Sequence, residues 1–254
     1  MAPAVRLREA VALAGRFPLL AGVSLDVDEG EIVHVQGPNG AGKSSLLRLC
    51  CGLVPLSSGE GVVLGHDLSR DRRSLRREVG LLGHASFLYD ELSVEENLSF
   101  ALRAGRLGAR AASARASEAI VRLGLTRRAG LRVSKLSAGQ RRRAAIAVLY
   151  ARRPALWLLD EPHAGLDEEA RLLLDELVGE ARSEGATVML VSHELERARG
   201  ISDRVLSMAG GRTAAPGMPP WPPSMSDPGD GPAPAAVPAE AAGGRLAKEV
   251  VHVA

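Results

Sequence analysis

Eight consecutive residues, Gly37-Pro38-Asn39-Gly40-Ala41-Gly42-Lys43-Ser44, restrict this chain more than any others, and a second serine, Ser45, follows them. Every fixed position of the phosphate-binding pattern G-x-x-x-x-G-K-[ST] is filled. The preceding run Glu31 to Gln36 carries Val33 and Val35 at alternate positions and reads as a strand, while Lys43 to Cys51 reads as a helix. A strand, a glycine-rich turn and a helix in that order let backbone N–H groups converge on a polyanion, to which the new helix adds its positive dipole end. Gly37, Gly40 and Gly42 supply the turn, and Pro38, Asn39, Ala41 and Ser45 complete the cradle. Lys43 is expected to reach the β and γ phosphates of a nucleotide. Ser44 places a hydroxyl where Mg²⁺ would take an oxygen ligand.

Composition bounds the rest. With 254 residues, 46% of them hydrophobic, the chain can bury one good core. No apolar run reaches the ~18 residues that suggest a bilayer span, and no basic stretch followed by an apolar block marks a leader, so the product is expected on the cytoplasmic side. A formal charge of +2 gives no general pull toward nucleic acid, and none is expected as a partner. Cys50 and Cys51 are adjacent, lack metal-ligand spacing and read as small core residues.

Taken in order, Val5 to Val11, Gly22 to Val27 and the strand at 31–36 read as an antiparallel region lying over the nucleotide, with Phe17 as the one aromatic face near an adenine. Ser58 to Leu64 is another strand, Ser69 to Arg77 a basic surface helix or loop, and Val79 to Leu82 a short buried strand. After Gly83-His84, Phe87, Leu88 and Tyr89 bring an apolar tip into a loop. Ser93 and Glu96 form a capping box that opens a helix, and a second helix runs from about Ala112 to Leu123. Gln140 to Arg152 reads as a helix ended before Pro154. The apolar strand Ala155 to Leu159 then delivers Asp160 and Glu161 to its carboxyl end, where α/β sheets place ligands. A helix follows Asp167 to about Arg182, then strand Thr187 to Val191, His193, and a last strand, Arg204 to Met208. The expected division is a folded unit, 1–211, with a helical insert at about 85–135, and a disordered tail, 212–254. Nine of the 15 prolines fall between Pro216 and Pro238. The decapeptide Arg245 to Ala254 reads as a frayed end or a short amphipathic helix.

The sequence Leu136-Ser-Ala-Gly-Gln140, the strand ending in Asp160-Glu161-Pro162, the segment His163 to Asp167 and then His193, all downstream of the phosphate loop, resemble the ATP-binding cassette family of transporters. The resemblance covers Val5 to about Ala209. It implies a P-loop NTPase cassette of the α/β class, with an antiparallel β subdomain and a helical insert, that hydrolyses ATP with Mg²⁺. Asp160 and Ser44 would hold the metal, Glu161 would polarise the attacking water, and His193 would touch the γ-phosphate and keep Glu161 aligned. Ser137, Gly139 and Gln140 would cap the nucleotide of a second cassette in a head-to-tail dimer, and Asp167 would cross that interface. Ala138 stands where the family's common motif has glycine, which is tolerable only if that position is not at positive φ. His84 stands where most cassettes carry a metal-touching glutamine, which puts metal contact there in doubt.

Together, Gly83 to Leu98, the LSAGQ segment and Leu156 to Pro162 are similar to the ATPase subunits of haem exporters in cytochrome c maturation. That likeness implies a peripheral subunit on the cytoplasmic face of the membrane, bound to polytopic membrane subunits through the 87–89 loop and the insert. The competing readings are an exporter ATPase for another hydrophobic or drug-like cargo, and a soluble cassette ATPase acting on nucleic acid or ribosomes. The single cassette and its insert of ordinary length speak against the last of these.

Overall fold

The computed structural model describes residues 3–214. Strands β1 (Val5–Ala14) and β2 (Phe17–Val27) form a hairpin that joins β4 (Ser58–Val63) and β5 (His66–Asp67) in an antiparallel sheet of order β2-β1-β4-β5. The strand before the phosphate loop, β3 (Ile32–Gln36), leaves this region, although the sequence runs it on from β2. It lies parallel between β8 (Thr187–Val191) and β9 (Arg204–Ala209) in a second sheet. Ile32, Val33, His34 and Val35 are all buried, so β3 needs cover on both faces, and a parallel sheet flanked by other layers supplies it. With β6 (Val79–Leu82), β7 (Leu156–Asp160) and β10 (Arg212–Thr213), the order is β10-β9-β3-β8-β7-β6.

Helix α1 (Lys43–Cys50) lies between the two sheets, which is why Leu46, Leu47, Leu49 and Cys50 are apolar on nearly every side and fully buried. On that face Val5, Leu7 and Val23 of the antiparallel sheet meet Val35, Leu158 and Met189 of the parallel one. Alternation along β7 and β8 sends Trp157, Leu159, Val188 and Leu190 to the opposite face. There they pack with α5 (Ala138–Arg152), α6 (Glu168–Ser183) and the insert helices α3 (Val94–Ala104) and α4 (Ala109–Arg122). The capping box of α3 is present, with Ser93 Oγ accepting from Glu96 N–H and Glu96 accepting from Ser93 N–H. The basic segment after β5 is a helix, α2 (Arg72–Glu78), capped by Asp71 and anchored by buried Leu75.

Several boundaries differ from expectation: β1 runs on to Ala14, β2 begins at Phe17 and α4 at Ala109. α5 starts at Ala138, because Ser137 and Gln140 form a second capping box. The ordered chain also runs past both Met208 and Gly211. The β9–β10 hairpin lies against β2, where Thr213 Oγ1 donates to Ser24 O at 2.8 Å and accepts from Ser24 N–H at 3.2 Å. The same hairpin ties down the phosphate loop, since Gly211 N–H donates to Ala41 O and Gly211 O accepts from Ala21 N–H. The rest of the expected tail, including the decapeptide at 245–254, lies outside the described residues. Among those described, no helix is long and apolar enough to cross a membrane.

Candidate functional site

The carboxyl end of the parallel sheet carries the site. Asn39 to Ser45 from the loop after β3, Asp160 and Glu161 from the end of β7, and His193 just after β8 line one cavity of about 380 Å³, with Pro18 and Leu19 of β2 at its mouth. Gly42 is the N-cap of α1 in a left-handed conformation, and no side chain caps the helix. Its first N–H groups are therefore available to an anion. The Lys43 ammonium is held over the loop by Gly37 O at 2.7 Å and Pro38 O at 3.0 Å. Burial pulls its pKa below the ordinary lysine value, against the opposing pull of Glu161 and Asp160. Phe17, at the start of β2, is 79% exposed and does not line the cavity that its neighbours Pro18 and Leu19 line.

Glu161 has a φ of 48°, a left-handed conformation unusual for a side chain of its size. Its N–H donates to Val191 O at 2.9 Å, and its Oε2 accepts from His193 N–H at 3.1 Å. The His193 imidazole Nε2 stands 3.4 Å from Glu161 Oε1. That pair is an ion pair only when the imidazole is protonated, and Oε1 has no aligned hydrogen-bond donor among the described residues. A buried carboxylate oxygen left open beside a phosphate cradle is the acceptor that a water molecule would need.

The LSAGQ residues do not enter this cavity. Ser137, Gly139, Gln140 and Asp167 line a separate one of about 260 Å³ with Arg143 and Gly165. Arg143 Nη2 bridges both oxygens of Asp167 at 2.7 and 2.9 Å, and Asp167 Oδ1 also accepts from Ala170 N–H. The Ala170 N–H and then the Arg143 guanidinium hold the Asp167 carboxyl below the usual range. Ala138 is the first residue of α5 and has no positive φ, so the missing glycine carries no strain.

His84 lies in a third concavity, of about 630 Å³, whose wall includes Phe87, Arg141 and Arg142 and which shares Asp160 and Glu161 with the first. The turn after β7 therefore separates His84 from the phosphate loop. The apolar tip is narrower than expected. Phe87 is 53% exposed and Tyr89, edge-on against Phe100 at 5.1 Å, is 36% exposed, whereas Leu88 packs against the insert core.

Several further residues had no sequence signal that singled them out. Buried His34 on β3 places Nε2 3.3 Å from Ser192 O, the residue before His193, and burial lowers its pKa. His163 Nε2 lies 2.8 Å from Asp175 Oδ1, whose other oxygen takes a 2.6 Å bond from Arg197. His66 bridges Asp71 and Glu78. These three histidines, unassigned from sequence, all have partners. Arg142 binds the three peptide carbonyls of the Asp160–Pro162 turn and that of Gly83.

Comparison with known proteins places this geometry. A family model described as ABC transporter matches residues 20–164. The methionine import ATP-binding protein MetN of Caulobacter vibrioides is 38% identical over 208 residues, covering 80% of this chain and 63% of that protein. The daunorubicin resistance ATP-binding protein DrrA3 of Streptomyces coeruleorubidus is 37% identical over 198 residues, covering 78% of this chain and 63% of that one. The chain thus spans a little under two thirds of the length of these two relatives. Among solved structures, a dimeric ATP-binding cassette in a post-hydrolysis state with ADP and Pi aligns with a TM-score of 0.76 at 27% identity, covering 83% of this chain and 97% of that one.

Proposed function

The chain belongs to the ABC transporter family, and on that premise we propose that it is the ATP-hydrolysing subunit of a membrane transporter, acting as one half of a head-to-tail pair of cassettes. One observation carries the reading: a single cavity joins an uncapped helix N-terminus and Lys43 to Asp160, Glu161 and His193. Mg²⁺ with ATP supplies the phosphoryl group and a cation to neutralise it. Ser44 and Asp160, which line that cavity, would hold the ion together with phosphate oxygens. The phosphate-loop amides and Lys43 bind and orient the phosphates. Glu161 Oε1 accepts the proton of water as its oxygen forms a bond to the γ-phosphorus and the bond to ADP breaks, and His193 holds Glu161 in place.

Ser137, Gly139, Gln140 and Asp167 line a cavity without a phosphate loop of its own, which fits a partner's γ-phosphate. The structurally similar cassette bound to ADP and Pi is dimeric, which supports pairing of two cassettes. The exposed Phe87 and the concavity beside His84 suit a peripheral attachment to polytopic membrane subunits at the cytoplasmic face. For cargo, the likeness of Gly83 to Leu98 supports haem export, or release of a haem-carrying partner, in cytochrome c biogenesis. The relative named for daunorubicin resistance favours a second reading, another hydrophobic or drug-like cargo.

Glu161→Gln tests the mechanism. It should keep ATP affinity, lose hydrolysis by on the order of 10²–10⁴-fold, and elute as a dimer with ATP and Mg²⁺. Unimpaired turnover would refute the role of Glu161. Loss of c-type but not b-type cytochromes in a deletion strain, seen by haem-stained gels, would support the haem reading, and normal c-type cytochromes would leave the drug-like cargo in its place.

A further inference from the structure

Arg142 lies two residues past Gln140 on α5, and its guanidinium serves peptide oxygens from two separate loops. Nη1 donates to Gly83 O, Nη2 to Glu161 O at 2.7 Å and to Asp160 O at 3.3 Å, and Nε to Pro162 O at 3.3 Å. Strands β6 and β7 run parallel and their ladder ends at the pair Leu82 and Leu159. One residue further, at Gly83 and Asp160, the strands diverge. Arg142 fills that fork and binds the carbonyls on both sides where another rung would have stood. Gly83 precedes His84, and Asp160 precedes Glu161, so the two loops joined by one side chain carry the group facing the partner groove and the group facing the phosphate cavity.

Three features show that this contact shapes backbone. First, the φ of 48° at Glu161 has to be maintained against its own strain, which costs on the order of 1–3 kcal/mol. The Glu161 peptide unit is gripped at both ends, its N–H by Val191 O and its carbonyl by Arg142. Second, a planar guanidinium can bind four oxygens in fixed directions, which the single ammonium of lysine cannot. Third, the two arginines beside it on the helix each reach a carboxylate, Arg141 binding Asp90 as well as Val133 O and Arg143 binding Asp167, whereas every hydrogen bond of Arg142 is to a backbone oxygen.

We propose that Arg142 is a positioning residue for hydrolysis: it holds the Glu161 peptide in its left-handed turn and ties it to the loop carrying His84, so that displacement of that loop by a docked partner moves the Glu161 carboxylate. This rests on the reading of Glu161 as the group that faces water. Because the Arg142 contacts are to peptide oxygens beyond the phosphate loop, the coupling acts on turnover and leaves ATP affinity alone.

The test compares the full chain with Arg142→Gln and Arg142→Lys by steady-state ATPase kinetics and by amide hydrogen exchange. A displacement of about 1 Å at a reacting group can lower the rate ~10²-fold, so Arg142→Gln should lose 10- to 100-fold in kcat with KM for ATP within about twofold. Arg142→Lys should fall between it and the wild type. Exchange should quicken together in residues 83–89 and 161–165, with β8 and α6 unchanged. The proposal is overturned by a kcat within twofold of wild type in Arg142→Gln, by a faster exchange confined to one of the two loops, or by a uniform rise across the chain, which would mark a role in stability alone. Glu161→Gln is measured beside them. A wild-type rate there overturns the reading of Glu161, while the exchange pattern reports the link between the loops independently, so the two failures are distinguishable.

Discussion

Replacing Gly37 and Gly40 separately by alanine distinguishes two reasons for a glycine in the phosphate loop. Both have positive φ, 153° and 78°. At Gly40 an added Cβ meets nothing within 4 Å, so the only penalty is conformational. That is roughly 1–2 kcal/mol for a left-handed residue. At the usual 2–4 °C per kcal/mol for a fold of this size, Gly40→Ala should lower Tm by about 2–8 °C. At Gly37 the same atom would lie 2.2 Å from Met208 O on β9, where ordinary carbon–oxygen contacts are about 3.3–3.6 Å. Both groups are backbone, so no rotamer change relieves an overlap of more than about 1 Å, and either β9 or the start of the loop has to move. The loop is already tied to the hairpin after β9 through Ala41 and Gly211, so movement there disturbs the whole cradle. Gly37→Ala should therefore raise the Kd for ATP at least ~100-fold, about 2.7 kcal/mol, and lower Tm beyond the Gly40→Ala range. Isothermal calorimetry and thermal denaturation by circular dichroism measure the two effects. If Gly37→Ala binds ATP within threefold of wild type and melts no lower than Gly40→Ala, the close approach to Met208 does not position the loop.

Lys43→Ala should weaken ATP binding by at least about tenfold, since it removes a charge directed at the phosphates, and unchanged affinity by calorimetry would contradict that role. Asp175 gives a pH prediction. Burial alone would raise its carboxyl, but the hydrogen bonds from His163 and Arg197 outweigh burial and hold it below the ordinary value. A carboxylate depressed in the folded state contributes stability above its unfolded pKa of about 3.9 and loses it as pH falls through the folded value. Below about pH 4, Tm should consequently drop more steeply for the wild type than for Asp175→Asn, and parallel curves would show that the carboxylate has no such linkage. Ending the chain after Gly211 instead of Ala214 removes β10 and both hydrogen bonds between Thr213 and Ser24, a loss of about 1–3 kcal/mol. Equal melting temperatures for the two truncations would show that the last strand adds nothing.

The residues that line the cavity at the phosphate loop were readable because they sit in short runs whose local backbone does the work. The phosphate loop needs a strand, a turn and a helix within twenty residues, and Asp160 and Glu161 need only the end of an apolar strand. β3 was harder. Its alternation is real and it follows directly on β2, so an antiparallel region is the local expectation, while its partners β8 and β9 and the Ser192 contact of His34 lie far along the chain. The start of α5 was readable in principle, since Ser137 and Gln140 have capping-box spacing. Their place in the LSAGQ segment drew the reading toward a partner's phosphate instead. Leu88 was placed in an exposed tip because its neighbours Phe87 and Tyr89 are apolar too, and nothing local says which of the three turns inward.

What holds the ligand-facing groups in place is not local at all, and the three consecutive arginines show why. At about 100° per residue, neighbours on a helix point in three different directions. Arg141 reaches Asp90 in the insert, Arg142 reaches Gly83 and the Asp160–Pro162 turn, and Arg143 reaches Asp167 just before α6. In sequence they are interchangeable positive charges after LSAGQ. In the fold, they tie one helix to the insert, to the turn behind the phosphate cavity and to the loop that lines the second cavity. A rigid shift of α5 must therefore strain all three contacts together. α5 begins within the LSAGQ segment, so in the proposed pair of cassettes a contact there would act on the same helix whose Arg142 binds the Glu161 carbonyl, and these side chains would link the two cavities with no further moving part.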